Sequence, residues 1–264
     1  MIEEFKYILL GLIQGLAEFF PISSSGHIIL FSSILDVAEE HPLLLSITVH
    51  FATTLSTIII YRQRLKMIFS EIIKNHNKNE IDFFLKIIFS ALPIIIIGLL
   101  FRTKIELIFE ELIYLVSVML MLTGFILITT RYIPEGQQKI TFYHAFLIGI
   151  AQAFAIIPGI SRSGATISMA LMCKINRKDA AEFSFLMVLT PIIGITFIEL
   201  TTLWLSDYIL EDIHIKGLFL AFFTSLLSGL FACKYMIKLI QNNSLKYFGY
   251  YCILIGLLSY FFLF

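Results

Sequence analysis

Charge is what this sequence has least of: Asp, Glu, Lys and Arg make up only 14% of its 264 residues, against 58% hydrophobic. Mean hydropathy is +0.91. So little polar surface cannot clothe a soluble domain of this length, and the chain reads as an all-α polytopic membrane protein in direct contact with the lipid bilayer. Basic and acidic residues balance at 19 each, so no nucleic acid is expected as a partner. Cysteine is scarce as well. Cys173, Cys233 and Cys252 stand singly in apolar segments without CxxC spacing, which argues against a disulfide framework or a thiolate metal site and leaves them as packing residues. There is no Walker loop and no GxSxG elbow, so nucleotide binding and hydrolase-fold chemistry have no support. The start, Met1 to Lys6, lacks a basic n-region, and Gln14 and Glu18 interrupt the apolar run that follows. The first hydrophobic segment is therefore expected to persist in the mature protein.

Long apolar runs are abundant. Six, near 44–61, 82–101, 112–130, 182–203, 217–234 and 247–264, are long enough to cross about 30 Å of hydrocarbon. Two further apolar regions, 5–35 and 141–173, break at Pro21-Ile22-Ser23-Ser24-Ser25-Gly26 and at Pro158-Gly159-Ile160-Ser161-Arg162-Ser163-Gly164. The arms after the breaks are too short to span, so each region is expected to form a re-entrant helical hairpin. The stretches 62–80, 131–139, 174–178 and 234–246 carry 13 of the 19 basic residues and are expected on the cytoplasmic side. The alternate loops carry acids instead: Asp36, Glu39 and Glu40; Glu106, Glu110 and Glu111; Asp207, Glu211 and Asp212. This layout brings the two hairpins in from opposite sides and predicts an inverted-topology repeat of about 1–130 and 141–264 within one membrane domain. Laid on each other at an offset of 138, Gly11–Gly26 and Gly149–Gly164 agree at seven of sixteen positions, Gln14/Gln152, Ser23/Ser161, Ser25/Ser163 and Gly26/Gly164 among them. A site is expected where the two tips meet.

At the first tip, Gly11, Gln14 and Glu18 share one helix face and point at the break. Glu18 can act as general base or as an oxygen ligand for a divalent cation such as Mg²⁺ or Ca²⁺. Ser23, Ser24 and Ser25 precede an arm opening at Gly26, which makes an anion site at a helix N-terminus. His27, in the first turn of that arm, can serve as nucleophile or proton donor. The bland reading is a serine cap with a structural histidine. At the second tip, Ser161, Ser163 and Thr166 supply hydroxyls, Gly159 and Gly164 allow close backbone approach, and the Arg162 guanidinium suits phosphate. An internal Arg162–Glu18 ion pair is the alternative. His50, Thr53 and Thr54 are candidates for the pocket or for helix packing alike. Glu182 reads as an acid favourably placed near a helix N-terminus.

At these residues the chain resembles the undecaprenyl-diphosphatase family, also called bacitracin-resistance proteins. The family's first motif, an acid or glutamine followed by glutamate and PxSS(S/T)GH, is matched by Gln14, Glu18, Pro21 and Ser23 to His27. Its second, PGxSRSGxT, is matched by Pro158 to Thr166. Many relatives carry glutamate where this chain has Gln14. The resemblance implies an integral enzyme of the bacterial cytoplasmic membrane. It would hydrolyse undecaprenyl diphosphate to the monophosphate, recycle the carrier for peptidoglycan synthesis and confer bacitracin resistance, with its site toward the outer face. Glu18, Ser24, His27 and Arg162 are the catalytic candidates. Gln14, Ser23, Ser25, Gly26, Gly159, Ser161, Ser163, Gly164 and Thr166 are the candidates for binding the polyprenyl diphosphate. Ser24, His27 and water remain open as nucleophile, and so does homo-oligomerisation. The rival class is a transporter or flippase of an anionic polyprenyl phosphate lipid, in which Glu18 and His27 would couple protons. An intramembrane serine protease is a weaker third reading, since it gives Arg162 no work.

Overall fold

The computed structural model describes residues 2–35, 42–74, 77–101, 113–205, 214–242 and 245–262. Within them lie thirteen α-helices and a 3-10 turn at Thr130–Tyr132. In chain order these are α1 (Ile2–Phe19), α2 (Ser24–Leu35), α3 (Pro42–Ile60), α4 (Arg62–Lys74), α5 (Lys78–Ser90), α6 (Leu92–Leu100) and α7 (Ile113–Thr129). The rest are α8 (Phe142–Phe154), α9 (Arg162–Met172), α10 (Arg177–Met187), α11 (Leu189–Leu205), α12 (Ile215–Gln241) and α13 (Leu245–Phe262). No strand forms among the described residues. Five helical stretches are long and apolar enough to cross a membrane, or six if the bent pair α3–α4 counts as one span. These stretches fall on the six segments expected to cross, and the protein is a multi-pass membrane protein.

Helix α4 departs from expectation, because 62–80 reads in sequence as a basic loop. The chain bends by 76° at Tyr61 and continues as helix. Ile68 is buried and Leu65 and Ile72 pack on the core, while Arg62 and Lys66 stay exposed. An apolar stripe on a basic helix lets it pack one face on the core and leave its charges exposed. Arg64 on this helix binds Glu80 of α5 and Glu182 of α10, each at 2.6 Å. Glu182 thus sits in the middle of α10 as an ion-pair partner, not near its N-terminus. The acid-bearing loops at 36–41, 102–112 and 206–213 lie outside the described residues.

The two broken regions become helix pairs, α1 with α2 and α8 with α9, each packed against its own partner. The arms α2 and α9 have 12 and 11 residues, about 17 Å of helix and short of a full crossing. Contacts in one half have counterparts in the other. α1 packs on α12 through Gly11, where a Cβ would fall 2.4 Å from the Ala221 carbonyl oxygen. α8 packs on α5 and α6 through Gly149, the position 138 residues on, where a Cβ would fall 2.3 Å from the Ser90 carbonyl oxygen. α7 and α13 pair through Gly124 and Gly249, each facing the other's carbonyl. Backbones approach this closely only where small residues line the contact.

Candidate active site

Each tip is built by a serine cap. Pro21 closes α1, and Ser23 takes the left-handed region at φ 70°, a conformation that costs a residue with a Cβ about 1 kcal/mol. Ser23 Oγ accepts the Gly26 N–H at 3.2 Å, and the Ser23 carbonyl accepts the His27 N–H at 3.1 Å. At the second tip Gly159 is the left-handed residue, at φ 95°, and Ser161 Oγ accepts the Gly164 N–H at 3.1 Å. Thr123 of α7 braces that tip, donating to the Gly159 carbonyl at 2.9 Å and accepting the Ser161 N–H at 3.0 Å. Ser25 and Ser163 pair with their capping serines at 3.4 Å and 3.3 Å. The tips touch: a Cβ on Gly26 would lie 3.1 Å from Gly159 Cα, and one on Gly164 would lie 3.3 Å from Pro21 Cβ. These two contacts exchange when the halves are exchanged, since Gly26 matches Gly164 and Pro21 matches Gly159.

The residues after the two caps, Ser24 and Arg162, are therefore equivalent in position and different in chemistry. Both reach Glu18. Arg162 Nη2 donates to Glu18 Oε1. Ser24 Oγ donates to Glu18 Oε2 at 3.0 Å, and Gln14 Nε2 donates to the same oxygen at 3.1 Å. Gln14 Nε2 also donates to His50 Nδ1 at 3.2 Å. The Glu18 side chain is only 5% exposed, and burying a carboxylate this far is tolerable because a guanidinium, a hydroxyl and an amide compensate it. A hydroxyl aimed at a buried carboxylate has the geometry in which the carboxylate can take its proton. The ion pair uses one of the five N–H donors of Arg162.

A cleft runs past this cluster, lined on its polar side by Thr53, Thr54, Thr57, Ser163, Thr166 and Ser184. Thr166 and Ser184 share a hydrogen bond of 2.6 Å across α9 and α10. Phe19 and Phe185 also line the cleft; Phe185 packs edge-on against Phe19 at 5.8 Å and meets Tyr61, the residue before α4, at 6.5 Å.

Glu18, Ser24, Arg162 and Gln14 are thus brought together, and Ser163 and Thr166 border the same cleft. Ser23, Ser25, Gly26, Gly159, Ser161 and Gly164 form the frame of the tips. His27 stands apart. Its Nδ1–H donates to the Ser23 carbonyl at 2.9 Å, so its Nε2 accepts from the Tyr251 hydroxyl, also at 2.9 Å, and the two rings stack at 5.5 Å. His50 is a member of the cluster. Tyr251 had no signal in the sequence, because an aromatic near the end of an apolar helix reads as a lipid anchor. The second half has no counterpart of this cluster at the matching positions, since those 138 residues beyond Glu18 and Ser24 hold Ile156 and Arg162. Gln152, the counterpart of Gln14, is fully buried with neither amide atom partnered.

The Gln14 carbonyl oxygen is likewise buried and unpartnered. It lies on the amide whose nitrogen bonds Glu18, so Gln14 and Glu18 are the residues that could each offer an oxygen to a hard cation. Among the described residues no group of three His, Cys, Asp or Glu side chains could hold a metal by itself. A cation here would need substrate oxygens to complete its shell.

Comparison with known proteins agrees with the geometry. A protein called undecaprenyl-diphosphatase from Bacteroides fragilis is 38% identical over 258 residues, covering 97% of both chains. One of that name from Christiangramia forsetii is 40% identical over 255 residues, 96% of each chain. Another, from Methanococcus vannielii, is 35% identical over 97% of this chain and 99% of its own. The model of the family described as bacitracin resistance protein BacA matches residues 7–258. With two tips converging on Ser24, Glu18 and Arg162 and a match that runs nearly end to end, the chain belongs to the bacitracin resistance protein BacA family.

Proposed function

We propose that this protein hydrolyses undecaprenyl diphosphate to undecaprenyl phosphate and inorganic phosphate at the junction of the two tips, and so supports cell-wall synthesis and bacitracin resistance. The single observation that carries the reading is the contact of Ser24 and Arg162, one from each tip, with Glu18. Arg162, the Ser161 and Ser163 hydroxyls and the N–H groups at the start of α2 and α9 would hold the diphosphate, replacing the Arg162–Glu18 pair in part. Ser24 Oγ attacks the terminal phosphorus while Glu18 takes its proton. The anhydride P–O bond breaks and undecaprenyl phosphate leaves. Glu18 gives the proton to that leaving phosphate, then takes one from water, which attacks the phosphoserine; the Ser24 Oγ–P bond breaks, Ser24 regains the proton from Glu18, and phosphate is released. Charge building on the transferred phosphoryl is met by the guanidinium and the helix N-termini, which are already in place.

His27 fits a supporting part. Both ring nitrogens are engaged away from Glu18, and its bond to the Ser23 carbonyl holds the left-handed residue that aims Ser24. Mg²⁺ or Ca²⁺, if bound, would be held by Glu18 and the Gln14 carbonyl oxygen and would neutralise charge on the diphosphate. Phe185 of the cleft lining meets Tyr61, which leads into α4 with its Arg62, Arg64 and Lys66. The cleft is therefore taken to open away from α4, toward the outer face of the cytoplasmic membrane, with the two halves as inverted repeats. A flippase would use the same tips to move an anionic lipid, but it has no need of a serine hydroxyl bonded to a carboxylate. Phosphate release from undecaprenyl diphosphate by the purified protein in detergent, where no second compartment exists, decides between them. Binding without release would overturn the enzyme reading.

A further inference from the structure

Between the two halves the frame of the tips repeats and the chemistry does not. Ser23, Ser25 and Gly26 recur 138 residues on as Ser161, Ser163 and Gly164, whereas Glu18, Ser24 and His27 are replaced there by Ile156, Arg162 and Ala165. Helices α7 and α13 carry a match of their own. A Cβ on Gly124 would lie 2.5 Å from the Gly249 carbonyl oxygen, and one on Gly256 would lie 2.7 Å from that of Ser117. Gly256 stands 132 positions after Gly124, and Gly249 stands 132 after Ser117, so this shift turns one contact into the other. The tips support the same register. A Cβ on Gly159 of the second tip would lie 3.2 Å from the Leu120 nitrogen of α7, while the Pro21 carbonyl of the first tip accepts from Cys252 Sγ of α13 at 3.7 Å. Pro21 matches Gly159, and Cys252 matches Leu120. In this register Tyr251 matches Met119, which has no hydroxyl.

Tyr251 is thus a further position at which the first tip has a polar group that the second lacks, and it is bonded directly to another of them. Its hydroxyl donates to His27 Nε2 at 2.9 Å, and its ring stacks on the imidazole at 5.5 Å and 11°. His27 itself is 2% exposed. The Ser23 carbonyl accepts twice from His27, from the backbone N–H at 3.1 Å and from the ring Nδ1–H at 2.9 Å. Because a peptide unit is planar, fixing that carbonyl fixes the plane from which Ser24 departs. Resting on the diphosphatase reading, we propose that Tyr251 is a positioning residue for the reaction, holding the His27 ring against the Ser23 carbonyl and so keeping Ser24 Oγ on Glu18. Without the Tyr251 hydroxyl, Nε2 becomes a buried acceptor left unpaired, which is costly enough to turn the ring toward another partner. The Ser23 carbonyl then loses its second donor, and Ser24 its line to Glu18.

Two measurements test this. Phosphate release from undecaprenyl diphosphate in detergent is followed for the wild-type protein, Tyr251→Phe, His27→Ala and the double variant. Tyr251→Phe keeps the stacked ring and loses only the hydroxyl, so kcat should fall by about tenfold with KM little changed. In the His27→Ala background the same change should alter kcat by less than about twofold, because no imidazole is left for the hydroxyl to hold. Wild-type kcat in folded Tyr251→Phe overturns the proposal. So does an equal loss in both backgrounds, which would make Tyr251 a packing residue of α13. Independently of any Tyr251 variant, protein labelled with ¹⁵N in its histidine rings should show His27, identified by its absence from His27→Ala, as the neutral Nδ1–H tautomer, since a carbonyl can only accept. An Nε2–H tautomer would overturn the proposal as well. If the wild-type protein releases no phosphate, the diphosphatase reading fails instead, and the nitrogen spectrum still reports whether Tyr251 and the Ser23 carbonyl hold the ring.

Discussion

Ser24 and His27 are three residues apart on one short helix, yet their side chains face different neighbours, and this separates their expected phenotypes. Ser24→Ala removes the attacking hydroxyl and should lower kcat by at least about 10²-fold, the scale on which loss of a catalytic group is felt. A phosphoenzyme trapped in the wild-type protein should be the acid-stable serine ester; an acid-labile phosphohistidine would reverse the assignment. His27→Gln, which keeps a side-chain N–H for the Ser23 carbonyl, should retain far more activity than His27→Ala. Equal loss in both would return His27 to the chemistry. Arg162→Lys preserves charge and forfeits the planar fork, so kcat/KM should fall by roughly 10²-fold or more, as when a donor to a developing oxyanion is lost. Phosphate-release kinetics within a few-fold of wild type would instead make Arg162 a structural partner of Glu18.

Between elements, the site depends on how closely α1 is drawn to α12. A Cβ on Gly15 would lie 2.4 Å from the Ser225 carbonyl oxygen and 2.0 Å from Ser228 Oγ. The Ser225 contact is backbone that cannot swing aside. Gly15→Ala should therefore push α1 outward at a cost of about 1–3 kcal/mol, read as a lowered Tm of the purified protein, with activity reduced because Gln14 and Glu18 ride on the same helix. Gly194→Ala is the matched control, since a Cβ there meets nothing within 4 Å. Should the two variants melt together, the small-residue contact would not be what sets the position of α1. The Arg64 pairs with Glu80 and Glu182 tie α4 to α5 and α10, and so hold Tyr61, just before α4, against Phe185 of α10.

Across the whole molecule, orientation follows from where the basic residues gather. Cysteines introduced near Glu39 and near Asp207 should react with an impermeant thiol reagent in intact cells, while one near Asn77 should not. The opposite pattern would place the open end of the cleft in the cytoplasm and remove access for a substrate delivered outside.

Hydropathy alone picked out the apolar segments that form helices of crossing length, because a run of about 20 apolar residues has no other stable home, and the two polar breaks with their seven matches pointed to the junction of the tips, where Glu18, Ser24 and Arg162 meet. Glu18, Ser24 and Arg162 were legible for the same reason: polar groups of those kinds at membrane depth are expensive and stand out. Helix α4 was misread because basic residues that set sidedness say nothing about whether the segment is helical; only the core under Ile68 decides that. Linear order also could not distinguish Ser24 from His27, since residues three apart on a helix lie on one face and what each side chain then meets belongs to other segments. Tertiary structure alone gave His27 its partner Tyr251, more than 200 positions away. It alone placed His50 beside Gln14, because that contact is made between helices whose packing no local pattern records.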